Sequence, residues 1–385
     1  MYKRTVQAAL FIVVVASMLV PGSLVGAAGG AGKTTTYNLY FGDLHTHTSY
    51  SDGTGTPWDA FAAAKAAGAD FMATTDHVHY PYGQVMLTPE LWTDTLNAAD
   101  AFTSGDFVAM AGYELWLPWA GEINVYNTRT VYRDDGNPGG HGFNNGNHEA
   151  IREALTSLYA WLAKTGALGQ WNHPTYWYGV NDAGYNSSQP SNFFDFLGYS
   201  ETNDKGMAVL ENFENPRYEE SYVLALDAGW HIMPAANSDT HSANWISGSE
   251  LRTVLLAPSL SPSDLYDAMR ASRGYATQDS NLRISYTLNG KVMGSTLAAA
   301  SPSYVAKIHI EDPDRTASDA ITLVEIVSDH GEVVTSVPTG GTTVDLSITL
   351  PSTGAHYYYL RVTTASNLYG EPGLTAWTAP VWTGA

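Results

Sequence analysis

Two rhythms of hydrophobic and polar positions divide this chain. From about residue 37 to 280, short apolar runs alternate with stretches whose apolar residues recur three and four apart, the mark of strands alternating with amphipathic helices. TPWDAFAAAKAAGADFMATTDH (residues 56–77) shows the unit. Thr56 can cap a helix that opens on Pro57, Ala-rich sequence carries it to Gly68, and an apolar strand then ends on Asp76 and His77. Later units follow the same plan. DFVAMAGYELW carries an apolar run up to Glu114, and a helical face of Ile151, Leu155, Leu158 and Leu162 leads to a strand ending on His173. PRYEESYVLALDAG leads to a strand ending on Asp239 and His241, and the strand RTVLLAP with a helix from Pro262 to Ser272, capped by Ser261, completes the region. Polar side chains of the ligand type therefore repeat at the C-terminal ends of strands. In a β/α barrel that end carries the active site, so the pattern predicts an α/β fold closed into a barrel with one site at its mouth.

From about Asn281 the rhythm changes to period two. ISYTLNG, YVAKIHIED, ITLVEIVSDHGEVVTSV, TVDLSITL and HYYYLRVTT alternate with turns, and no helical pattern separates them. This predicts an all-β antiparallel sandwich over residues 281–385, a length of about 100 residues suited to that fold. At the other end, Lys3 and Arg4 precede an apolar run from Ala8 to Val20 and then small residues, with Val25-Gly26-Ala27 offering a cleavage site. The run is shorter than the ~20 residues a membrane-spanning helix needs, so residues 1–27 read as a signal peptide and 28–36 as a Gly/Thr-rich spacer. The expectation is a secreted or periplasmic protein with no stable membrane insertion after cleavage.

Composition narrows the chemistry. The 385 residues are 44% hydrophobic and 15% charged, as in a globular protein with a large core. Lys and Arg total 18 against 38 Asp and Glu, and a net charge of −20 repels phosphate backbones, so no nucleic-acid partner is expected. There is no cysteine, which excludes disulfides and thiol nucleophiles and leaves any metal to His and carboxylate ligands.

DLHTHTSYSDG (residues 43–53) supplies such ligands. Residues two apart on an extended segment face the same way, so His45 and His47 can reach one ion. A lone His pair is weak evidence. Here it joins Asp52, Asp76-His77, Glu114, His173 and Asp239-x-His241, each at the end of an apolar run.

In that order, DLHTHTSYSDG, TTDH, AGYELW, NHP and NSDTH resemble the motifs of the PHP (polymerase and histidinol phosphatase) superfamily. The exported layout, RTVLLAPSLSPSDLYDAMRASRGYATQD and the C-terminal β region are most similar to its CehA/McbA branch. The resemblance implies a distorted (β/α)7 barrel over residues 37–280 holding two or three divalent ions, manganese, zinc or iron. It places His45, His47, Glu114 and Asp239 on the first ion and Asp52, His77 and His241 on a third. The second would share Glu114 and take His173 with one more imidazole. Where the related branch has Gly-His-x-Asn, this chain reads Gly121-Glu122-Ile123-Asn124. Glu122 then either ligates as a carboxylate, which hardens the site toward manganese or magnesium, or points away and leaves His148 or His141 to substitute.

The activity so implied is hydrolysis by a metal-bridging hydroxide, with Glu114 holding the ions together and His77, His241 or His79 protonating the leaving group. A phosphoester substrate comes first, small or linked to a glycan or lipid. A carbamate, carboxyl-ester or amide hydrolase of the CehA/McbA type comes second, and a non-catalytic glycan-binding module stabilised by metal stands as the reading from another class. Arg252, Arg273 and Lys205 are candidates to hold an anionic group, although solvated surface positions are the commoner role for such residues. Asn172 and Asn237 can orient the ligands beside them; His231, His309 and His330 read as structural. The aromatic stretches ELWLPWAGE and PTYWYGVNDAGY, which follow Glu114 and His173, can stack on a substrate or plug the loops together.

Overall fold

Capping residues set where the helices begin. In the computed structural model, which describes residues 24–26, 35–80, 84–117, 121–132, 148–173, 207–211, 216–366, 373 and 375–384, helix α1 (Pro57–Ala66) starts on the expected Thr56. The Thr56 hydroxyl accepts from Asp59 N while the Asp59 carboxylate accepts from Thr56 N, a reciprocal capping box. Thr88 caps α2 (Pro89–Phe102) by accepting from Leu91 N, and Ser261 caps α5 (Pro262–Arg270) by accepting from Asp264 N. Between them lie α3 (His148–Thr165), which buries Leu155, Leu158 and Leu162, and α4 (Pro216–Asp227). Helix α5 stops before the expected Ser272 because that residue turns to a positive φ of 51°. No described helix is long and apolar enough to cross a membrane.

The strands that follow the chain are β1 (Leu24–Gly26), β2 (Thr35–Asp43), β3 (Phe71–Thr74), a short hairpin of β4 (His79–Tyr80) and β5 (Gln84–Val85), β6 (Val108–Leu117), β7 (Gly121–Tyr126), β8 (Leu168–Asn172), β9 (Met207–Glu211), β10 (Met233–Ala235), β11 (Arg252–Ala257) and β12 (Gly274–Thr277). They join in the order β10-β9-β8-β7-β6-β3-β2-β11-β12, with β1 on the start of β2. β2, β3 and β6 run parallel, as do β8, β9 and β10. β3, β8 and β10 are buried along their whole length, as expected of parallel strands covered on both faces.

The expected barrel differs from this sheet in two ways. β7 folds straight back on β6 as a hairpin partner, antiparallel to both β6 and β8, so no helix separates Glu114 from Glu122. The ladders also leave the ring open. Between the ends of β2 and β10 the join is a single parallel bridge, Thr46 to Thr240, in which His47 N donates to Thr240 O at 2.9 Å and Asp239 N donates to His45 O at 3.0 Å.

Beyond β12 the chain forms β13 (Arg283–Leu288), β14 (Lys291–Val292), β15 (Ser303–Glu311), β16 (Ile321–Ser328), β17 (Glu332–Gly341), β18 (Thr343–Pro351), β19 (Tyr357–Thr364), β20 (Thr375–Thr378) and β21 (Val381–Trp382). One sheet, β14-β13-β15-β18, stands apart. Its β15 alternates buried and less buried positions, and Tyr286, Ile308 and Ile310 share a core with Val324, Ile326, Leu360 and Val362. The facing sheet is not separate: β20 pairs with β12, so β20-β19-β16-β17 continue the main sheet. The fully buried β12 needs a partner on that edge, and β20 supplies it.

Gly42 of β2 lies opposite Phe71 of β3 with no room for a side chain. A Cβ built there would sit 2.2 Å from Phe71 O and 2.5 Å from the Phe71 ring. Gly42→Ala should therefore push β2 from β3 and lower stability by about 1–3 kcal/mol, read as a lower urea midpoint.

Candidate metal centre

The loop after β2 is fixed before its histidines are placed. Thr46 donates its hydroxyl to Ala73 O at 2.7 Å and its N to Thr75 Oγ1 at 3.2 Å, while its backbone forms the bridge to Thr240. Buried Asp43 accepts from His45 N at 2.9 Å and from Ser238 N at 3.1 Å, tying this segment to the one after β10. Burial pushes Asp43 up to about 6, against the pull of those N–H groups. Trp245 Nε1 donates to His47 O at 3.1 Å and closes the same loop from above.

With Thr46 held, the imidazoles on either side of it converge. His45 Nε2 and His47 Nε2 lie 3.2 Å apart, each 3.2 Å from Glu114 Oε2, and 3.2 and 3.0 Å from Asp239 Oδ1. Five of the six edges among four ligand atoms are thus nearly equal. Separations of this length suit donor atoms that stand about 2 Å from a shared ion, the Zn–N and Zn–O distance.

Glu114, 1% exposed, ties this group to two others. Its Oε2 is 3.3 Å from His77 Nδ1, and its Oε1 accepts from Asn172 Nδ2 at 2.5 Å and faces His173 Nε2 at 3.9 Å. Glu122 turns inward: its carboxylate oxygens lie 3.3 Å from His173 Nε2 and 3.9 Å from His77 Nδ1. On the outer side Asp52 lies 3.3 Å from His241 Nε2, 3.9 Å from His77 Nε2 and 3.8 Å from His47 Nδ1. His241 stacks on His47 with centroids 4.1 Å apart, and its side chain, 39% exposed, is the most open of the cluster's imidazoles.

Charge shows that the donors suit a cation. Burial drives Glu114 upward, yet the His45 and His77 charges and the bonds of His45 and His47 hold it well below the usual carboxylate range. Asp239 is lowered in the same way, chiefly by His45 and His47 against its burial. His47 rises to about 10 despite burial, because Asp239 and Glu114 face it, whereas burial and then the Glu114 and Asp239 charges raise Glu122 well above its ordinary value. Without a cation the carboxylates of the cluster are balanced by imidazolium charge, and the anionic form of Glu122 is disfavoured. Divalent cations supply positive charge directly to the imidazole and carboxylate lone pairs.

Two of these residues have backbones bent to their place. His173 and Asp239 take positive φ values of 24° and 46°, uncommon for residues other than glycine.

Several sequence candidates go elsewhere. Arg252 is buried, and its guanidinium donates to the carbonyls of Ser249, Leu251 and Ile246, which braces the loop before β11 and leaves no anion-holding fork. Arg273 lies where β11 pairs with the start of β2, the end opposite His45; it bonds Leu256 O and stacks over Tyr37 at 4.9 Å. Asp76 is a loop clamp, accepting from Thr48 N, Thr48 Oγ1 and Ser51 Oγ. Lys205, His141 and residues 174–185 lie outside the described residues, as do 118–120; His79 and His148 are described through their backbones in β4 and α3. Asn237 Oδ1 accepts from Leu44 N and Thr253 Oγ1 at 2.8 Å each, a bracing role beside the site. His231 stacks on Trp382, His309 meets Asp345 at 2.8 Å and His330 meets Asp227 at 2.9 Å. Asp43 and Trp245 were not among the candidates: an aspartate at a strand end reads as turn chemistry, and an isolated tryptophan gives no sign of which carbonyl it serves.

Compared with known proteins, the chain matches no family model and no curated protein. Among solved structures it overlaps a two-domain protein from Bacteroides vulgatus containing a predicted PHP-like metal-dependent phosphoesterase. That pair is 15% identical over 90% of this chain and 96% of the other, with a TM-score of 0.45. Endonuclease Q, solved with a duplex carrying an abasic lesion, is 14% identical over 60% of this chain and 57% of its own, with a TM-score of 0.38. Histidinol phosphate phosphatase from Lactococcus lactis, solved with zinc, L-histidinol and phosphate, is 16% identical over 52% and 86%, with a TM-score of 0.31. Scores this low describe loose overlap of backbones, and the functional reading rests on the residues of the site.

Stripping the protein with a chelator should lower its melting temperature by several degrees, and zinc or manganese should restore it. In the double variant His45→Ala/His47→Ala the restoring shift should vanish, as read by differential scanning calorimetry with elemental analysis of bound metal.

Proposed function

We propose that the chain is an exported metal-dependent hydrolase of the PHP type, acting first on phosphoesters, with its metal centre in the cluster around Glu114. The observation that carries this reading is the set of near-equal 3.0–3.2 Å edges joining His45, His47, Glu114 and Asp239. The order of the motifs and the inward turn of Glu122 support it. Zinc, manganese and iron all suit a His and carboxylate donor set, and the acidic Glu122 favours the harder of them.

Bound divalent cations would lower the pKa of a water and neutralise charge developing on the attacked centre. The protein's own residues do the rest. Glu114 holds the imidazoles of His45, His47 and His77 around one oxygen, and Asn172 fixes the orientation of its carboxylate from the other side. His241, exposed at the mouth and set against Asp52, would hold a third cation with Asp52 and His77, or, in a centre with two cations, would give a proton to the departing oxygen; His77, deeper and close to Glu114, serves as a ligand.

Charge counting separates two substrate classes. Asp52, Glu114, Glu122 and Asp239 bring four negative charges when ionised. Two divalent cations cancel them, whereas three leave a surplus of two positive charges that attracts an anionic phosphoester. Among the described residues neither Arg252 nor Arg273 is turned to hold an anion. That observation favours a second reading, hydrolysis of a neutral carbamate, ester or amide, for a centre with two cations.

Export through residues 1–27, whose cleavage would remove β1 from β2, is supported by Lys3, Arg4 and the Ala8–Val20 run, and the charge of −20 supports a small substrate over nucleic acid.

The deciding experiment loads the stripped protein with zinc, manganese or iron and measures hydrolysis of nitrophenyl phosphate, bis-nitrophenyl phosphate and nitrophenyl acetate beside the metal content. Three ions per chain with phosphoester turnover is the expected result; two ions with turnover of the acetate alone would replace it by the second reading. With two ions bound, His241→Gln should lower kcat roughly 10²–10⁴-fold for esters with poor leaving groups and far less for nitrophenyl esters, with KM little changed; with three bound, it should lower the metal content by about one ion per chain.

A further inference from the structure

A second group of carboxylates lies far along the chain from the histidines. The sequence Glu311-Asp312-Pro313-Asp314-Arg315-Thr316-Ala317-Ser318-Asp319 joins β15 to β16, and ligand oxygens of Asp312, Asp314 and Asp319 all fall within 4.8 Å of one another. An acidic loop alone says little, because exposed acids gather on many surfaces. Here one member is not exposed. Asp312 is 0% exposed, and its Oδ2 has no hydrogen-bond partner, while its Oδ1 accepts from Asp314 N at 3.1 Å.

Another carboxylate faces it from a different part of the chain. Asp279, in the connection from β12 to β13, accepts from Asn281 N and Leu282 N at 3.0 Å each, and it meets the Asp312 carboxylate side chain to side chain. Burial, and then the Asp279 charge, push Asp312 up to about 7. No Lys, Arg or His among the described residues forms an ion pair with Asp279, Asp312, Asp314 or Asp319; Arg315 turns instead to Glu311 at 3.1 Å.

We propose that Asp279, Asp312, Asp314 and Asp319 form a calcium site that clips the β12–β13 connection to the β15–β16 loop. The donors are all oxygen, with no imidazole, which selects a hard cation over zinc or iron. Several carboxylates gathered from two separate loops suit the flexible, oxygen-rich shell of calcium better than magnesium, which keeps most of its waters. The ion would satisfy Asp312 Oδ2 and remove the repulsion between Asp279 and Asp312 in a single step.

The test is calcium titration of the chelator-treated full chain, followed by its unfolding midpoint and by calorimetric binding. The parent protein should gain about 3–8 °C at calcium well above Kd. Asp314→Asn, at an exposed position, should keep the parent far-UV circular dichroism yet need roughly tenfold more calcium, since it removes one charged ligand. Asp312→Asn should abolish the shift; if that variant does not fold, Asp314→Asn decides alone. No calcium-dependent shift in the parent would overturn the site and leave a carboxylate pair sharing a proton. A shift undiminished in Asp314→Asn would overturn it too, by placing calcium at the histidine cluster or elsewhere.

Discussion

A buried carboxylate that touches three imidazoles governs this molecule. Glu114 is withdrawn from water inside β6, three residues before the strand ends, and one of its oxygens stands within 3.3 Å of His45, His47 and His77. Taking such a charge out of water costs several kcal/mol unless opposite charge and hydrogen bonds replace the solvent. The surrounding construction answers that cost. Asn172 arrives from β8 to bond the second oxygen, Glu122 arrives through the β6–β7 hairpin, and Asp239 arrives after β10. Each is delivered by a different strand, so the sheet order is the assembly plan of the cluster.

The same constraint explains where the backbone is bent. A regular strand turns successive side chains to opposite faces, which cannot bring every ligand-type residue to one point. His173 and Asp239 depart into the left-handed region, and Thr46 is bonded on several sides so that its neighbours can both face inward. Buried Asp43 and Asn237 brace the segments after β2 and β10, where the sheet is joined by one bridge. Arg252 performs a similar service beneath them, spending its donors on carbonyls.

What could be read from the sequence was whatever depends on short-range pattern. Thr56, Pro57 and Ser261 announce their helices because capping is settled within four residues. His45, His47, Glu114, His173, Asp239 and His241 stand out because ligand-type residues ending apolar runs are rare one at a time and rarer in series. Glu122 was left with two alternatives, since its direction depends on β7 pairing back onto β6, and nothing local in GEINVY reveals that partner. Arg252 and Arg273 misled for the converse reason: their charge is visible in sequence, whereas the carbonyls they meet are assembled by the fold. The helical grammar likewise suggested a complete β/α alternation; the helix expected between Glu114 and His173 is there as α3, yet an antiparallel strand, β7, is inserted before it.

The pairing of β12 with β20 also sets what can be cut away. Three residue pairs, Tyr275 with Thr378, Ala276 with Trp377 and Thr277 with Ala376, cover the edge of the sheet that carries β2 and its histidines. A shortened chain ending near residue 280 would keep every ligand-type residue of the histidine cluster and still expose a flat, apolar strand with open N–H and C=O groups. Such an edge recruits other chains. The last strands therefore act as the selvedge of the fabric, woven in to stop it from unravelling into its neighbours.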